Sequence, residues 1–98
     1  MPVYVSLLRF TQQGVEAVKE QGSRMDRIKE AYRAAGGELI AYYATMGRYD
    51  GIAVYRMKDD AAAAAFCLAI MSKGNVRSET MRAFEEAEYR EILGNLPS

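Results

Sequence analysis

The side chains best suited to moving protons or holding a ligand are Tyr49, Asp50, Arg77 and Glu79. Asp50 closes the run Gly47-Arg48-Tyr49-Asp50, in which a cation, a phenol and a carboxylate follow a glycine. A carboxylate beside a phenol can serve as a general base or orient a ligand. The same four residues also suit a plain turn, because glycine supplies a positive φ and aspartate bonds its own turn backbone. The structural reading is preferred. A second set comprises Tyr4, Ser6, Tyr55 and one of Tyr42 and Tyr43, whose hydroxyls could line a cavity for a small apolar or aromatic ligand. Ordinary interface packing, in which tyrosine is favoured, is the preferred reading of that set.

What is missing narrows the chemistry further. The chain has no histidine, which removes histidine general bases, Ser-His-Asp and Cys-His pairs, histidine zinc sites and histidine haem ligands. The single cysteine, Cys67, permits no internal disulfide and no cysteine metal cluster. Its setting, Ala65-Phe66-Cys67-Leu68, reads as a small core residue. Neither a metal nor a cofactor is expected.

The elements that must position these residues fit in one domain, residues 1–98. Half of the residues are hydrophobic, while a domain this size buries only about 60–65% of its unfolded surface. Apolar surface is therefore left over for a partner. Lysine plus arginine balances aspartate plus glutamate, 13 against 13, so the basic footprint of a nucleic-acid binder is lacking. Asp50-Gly51-Ile52-Ala53-Val54-Tyr55 loosely echoes an RNA-recognition strand, but Ile52 and Val54 stand where bases would need aromatics to stack on. No nucleic-acid partner is expected. The longest apolar run, residues 61–71, is too short for a membrane span, and no basic-then-apolar leader opens the chain. The expectation is a cytoplasmic protein with no membrane partner.

Val3–Phe10 reads as a strand. Thr11 caps a helical stretch over 12–20, broken near Gly22 and restarted by Ser23 with Asp26 in a capping-box variant. Met25, Ile28, Tyr32 and Ala35 continue at helical spacing up to Gly36-Gly37. Residues 38–46 and 52–57 read as strands joined by the hairpin 47–51. Asp59 or Asp60 caps an alanine-rich helix that stops at Gly74-Asn75, followed by a strand over 76–84 and a closing helix over 85–93. The order βαββαβ plus a terminal helix is the split βαβ pattern of a ferredoxin-like α+β fold, a four-stranded antiparallel sheet with helices on one face. Arg77, Ser78, Glu79, Thr80 and Arg82 then lie on an edge strand, where charge discourages unwanted pairing or, alternatively, walls a polar pocket.

Both crossovers of such a fold are right-handed, so both helices cover the same sheet face. The strands nevertheless carry apolar residues on both parities. Aliphatic sets usually pack under helices, so Val3, Val5, Leu7, Ile52 and Val54 are expected there. Tyr4, Ser6, Leu8, Tyr55 and Met57 then fall on the uncovered face, which exceeds the patch a monomer normally shows. A homodimer or higher homo-oligomer formed through that open face is the simplest cover.

The stretch Tyr43-Ala44-Thr45-Met46-Gly47-Arg48-Tyr49-Asp50 resembles the Gly-x-Tyr-Asp signature of the GYD-domain family of small bacterial and archaeal proteins. Tyr4-Val5-Ser6-Leu7 through Phe10-Thr11, Gly74-Asn75-Val76-Arg77 and Thr80-Met81-Arg82-Ala83-Phe84 are similar to it as well. The resemblance implies a dimeric α/β barrel built from ferredoxin-like domains, with Gly47, Tyr49, Asp50, Gly74 and Asn75 as motif residues, and carries no activity with it. The chain departs from the family pattern at Ala44, where tryptophan is common, and at Glu85, where threonine is common.

The leading functional expectation is a small-molecule-binding or regulatory homodimer. The alternative, by fold analogy alone, is a cofactor-free dimeric-barrel enzyme, an oxygenase or isomerase of a small aromatic or lactone substrate. The absence of histidine counts against it. A third reading is an interaction module whose open face binds a different protein.

Overall fold

The computed structural model describes the backbone of all 98 residues and every side chain except those of Gln21 and Ser23. Strand β1 (Val3–Phe10) leads into helix α1 (Gln12–Glu16), a 3-10 turn (Val18–Glu20) and helix α2 (Gln21–Ala34). Strands β2 (Glu38–Ala44) and β3 (Gly51–Arg56) precede helix α3 (Asp60–Ser72), strand β4 (Val76–Ala83) and helix α4 (Glu86–Gly94). The strands form one sheet in the order β2-β3-β1-β4, with every neighbouring pair antiparallel. This is a ferredoxin-like α+β fold.

Local chemistry sets the element ends. The Thr11 hydroxyl accepts from Gly14 N at 3.1 Å and caps α1, and the Asp59 carboxylate accepts from Ala62 N at 2.8 Å and caps α3. The helical break comes earlier than Gly22. It lies at the 3-10 turn, and α2 runs through Gly22 with Glu20 at its N-cap position. The side chain of Ser23, and with it the expected capping box, lies outside the described residues.

The sheet corrects the expected face assignment. Tyr4, Ser6, Ala53, Tyr55 and Met57 are buried, and they pack with Tyr32 of α2 and Ala63 of α3 under the helices. Val5, Leu7, Ile52 and Val54, expected beneath the helices, are only half-buried and lie on the bare face. Strand pairing puts Met81 beside Val5 and Tyr43 beside Ile52 on that face, where Met81 is 47% and Tyr43 62% exposed. The physical cause is the small volume of α3. Its sheet side offers Ala63 and Cys67 and leaves room that tyrosine rings fill. Tyr55 accordingly sits 4.9 Å from the Tyr32 ring and 5.9 Å from the Tyr4 ring, centroid to centroid.

Helix α4 stands off the sheet and the other helices, and the whole chain, α4 included, is 52 Å in its longest dimension. Its ties run through Arg82–Glu88 at 2.9 Å, with Arg56–Glu85 at 2.6 Å just before it. Among the described residues no helix is long and apolar enough to cross a membrane.

Candidate functional site

The sequence motifs meet at one end of the sheet, where β1 outruns β3. Pairing between these strands stops at Leu8–Gly51, leaving the last backbone groups of β1 in need of partners. Asp50 supplies them. Its N–H donates to Leu8 O at 2.8 Å, and its carboxylate accepts from Phe10 N at 2.8 Å. The turn behind it is fixed by Thr45, whose N–H donates to Asp50 O at 3.0 Å and whose hydroxyl donates to Tyr49 O at 2.6 Å. Gly47 has φ +104°, a conformation that side chains with a Cβ rarely adopt.

The Gly74-Asn75 turn secures the next residues. Thr11 N donates to Asn75 O at 3.1 Å, and the Thr11 hydroxyl donates to Gly74 O at 2.5 Å. Gln13 Nε2 donates to Asn75 Oδ1 at 2.9 Å. The approach is so close that a Cβ on Gly14 would lie 2.0 Å from Asn75 O. Asp50, Gly74 and Asn75 thus clamp the end of β1.

Tyr49 reaches over the open face instead. Its hydroxyl donates to Glu79 at 2.7 Å, and Arg9 lies 5.0 Å over its ring. Arg9 pairs in register with Arg77, so two cations stand side by side next to Leu7 and Glu79. The structure therefore brings Tyr49, Glu79 and Arg77 together and adds Arg9, which sequence reasoning missed. Its signal was available: Arg9 shares the parity of Val5 and Leu7.

Tyr4, Ser6 and Tyr55 do not line a cavity between two sheets, as was expected of them; they build a polar network beneath α3. Ser6 Oγ lies 2.9 Å from Tyr55 OH and 2.7 Å from Thr80 Oγ1, while Cys67 Sγ lies 3.3 Å from Tyr55 OH and 3.1 Å from Thr80 Oγ1. Tyr4 OH donates to Asp60 at 2.6 Å. A cleft of about 270 Å³ opens beside Tyr4, Asp60, Cys67 and Thr80. Of the expected ligand-contacting set, Tyr43 alone lies on the open face. Among the described residues no three of Cys, Asp and Glu converge as metal ligands would.

Burial holds the buried phenols neutral. Desolvation, then the bond to Asp60, pushes Tyr4 up to about 12, and desolvation, then the bond to Cys67, pushes Tyr55 up to about 12. Both values exceed the unfolded value of 10.0, so this contribution to stability is complete below pH 10 and is lost as pH rises toward 12. Alkaline titration followed at 295 nm is expected to show the last tyrosinate absorbance rising together with loss of far-UV circular dichroism. Full tyrosine ionisation in a still-folded protein would contradict this.

Comparisons with known proteins agree with this architecture. Residues 4–93 match the GYD domain family. The "Glutamine synthetase and cystathionine beta-lyase binding protein" of Thermus thermophilus is 30% identical over 89 residues, covering 90% of this chain and 94% of the relative. A crystal structure of a Thermus thermophilus protein superposes with TM-score 0.55 at 26% identity, covering 87% of this chain and 95% of the other. On its residues and its fold alike, the chain belongs to the GYD-domain family.

Proposed function

We propose that this protein is a regulatory binding protein, acting in the cytoplasm as a homodimer closed through its open sheet face, with enzymes as its partners. The observation that carries the reading is the bare face itself. Val5, Leu7, Ile52 and Val54 form a strip continued by exposed Tyr43 and Met81, and a two-fold axis lets such a strip cover its own copy. The residues able to move protons give catalysis little support. Asp50 is committed to backbone groups of β1, and Tyr49 and Glu79 meet in water at the rim. The Arg9–Arg77 pair at the end of the apolar strip favours a small amphipathic carboxylate as a ligand of the same face.

The partner class follows from the Thermus relative, described as binding glutamine synthetase and cystathionine beta-lyase. The corresponding enzymes of this protein's own host are the proposed partners. Surface plasmon resonance with each enzyme immobilised should give saturable binding to at least one of them. Binding to neither would remove the enzyme-partner reading.

A further inference from the structure

On the helix side of this same end of the sheet lies a groove of about 810 Å³ between the α1–α2 segment and the end of α3. Its floor is apolar, with Phe10, Val18, Ile28, Ile70 and Val76, and its rim is basic, with Arg24, Arg27 and Lys73 against Glu20. Glu20 is paired with Arg24 at 2.8 Å, whereas Arg27 and Lys73 have no ion pair among the described residues.

Helix α4 has the opposite character. Tyr89, Ile92, Leu93 and the following Leu96 fall at i, i+3, i+4 and i+7, the anchor spacing of a helix that lies in a groove. All four are exposed; Tyr89 is 52% and Leu93 47% accessible. Within Glu86–Gly94 three glutamates (Glu86, Glu88, Glu91) stand against one arginine (Arg90), a net charge of −2.

The helix cannot reach the groove of its own chain. The groove opens beside Val76, the first residue of β4, and α4 departs after Ala83, the last. The strand between them spans about 26 Å at roughly 3.3 Å per residue. A two-residue link of about 7 Å and a nine-residue helix of about 13 Å fall short of doubling back over that length.

We infer that α4 docks in the basic-rimmed groove of a second copy of this chain, placing Tyr89, Ile92 and Leu93 on the apolar floor and bringing Glu86 and Glu88, which flank that stripe and pair with Arg90 and Arg82 in the single chain, against Arg27 and Lys73. The contact is heterologous in its parts, helix to groove, and does not depend on pairing of the sheet faces.

Cysteine trapping tests it on the full chain in a Cys67→Ser background. One preparation carries Ile92→Cys, a second Val18→Cys, and a third Lys58→Cys, an exposed position outside the groove. Mild oxidation of mixed pairs should form the 92–18 cross-link at least tenfold faster than the 92–58 cross-link. Adding Arg27→Glu and Lys73→Glu to the Val18→Cys protein should slow the reaction by a similar factor. Equal rates for the two pairs would overturn the inference, and so would an unchanged rate after charge reversal. A chain carrying both Ile92→Cys and Val18→Cys that closes an internal disulfide on dilution would assign the groove to its own helix and overturn it too.

Discussion

Tyr55→Ala is expected to destabilise the domain by about 3–5 kcal/mol, the range for truncating a large buried aromatic. Tyr55 is fully buried, and its ring touches the aromatic groups of both covering helices, 4.9 Å from Tyr32 and 6.4 Å from Phe66 between centroids. Removal of the ring opens a cavity under α3 that the small residues Ala63 and Cys67 cannot fill. Tyr55→Phe separates ring from hydroxyl. Ser6 and Cys67 keep Thr80 as a partner, so the phenylalanine variant should cost only about 1 kcal/mol. Urea unfolding of the two variants measures both. A Tyr55→Ala protein as stable as the parent would return Tyr55 to a surface role.

That contrast is where reading the sequence went astray. The order of strands and helices was legible, because apolar runs, Thr11 and Asp59 caps and the 47–51 turn punctuate the chain clearly. Which face the helices cover was not. Both parities of β1 and β3 are apolar, and the preference for aliphatic residues under helices chose the wrong one. Three residues held the correction. Ser6 shares the parity of Tyr4 and Tyr55, where a hydroxyl would be misplaced on a bare apolar strip but serves a buried phenol. Ala63 and Cys67, four apart on α3, give that helix a low-volume side suited to bulky rings.

The candidate site was legible in composition and less so in role. Tyr49, Glu79 and Arg77 were singled out by type, and they do converge, since β1 carries Arg9 between the hairpin and β4. The bond from Phe10 N to Asp50 could not be read locally, because 40 residues separate the partners. The same is true of the Thr11 and Asn75 contact. Motif residues far apart in the chain therefore looked like separate features, and only the fold shows that they close one end of β1.

Val54→Glu carries the largest functional effect. Val54 sits at the centre of the bare face, between Val5 and Ala41 in strand register, and is half-buried within the single chain. A carboxylate there stays hydrated in a monomer, but in a face-to-face pair it would be buried against its symmetry mate without a cation. The fold should survive and the pairing should not. Multi-angle light scattering on Ile92→Asp/Leu93→Asp protein, with and without Val54→Glu, isolates the sheet face from any helix exchange. The expected result is twice the chain mass without Val54→Glu and the single-chain mass with it, at unchanged far-UV circular dichroism. A single-chain mass before Val54→Glu is added, or a dimer that persists after it, would contradict the proposed homodimer.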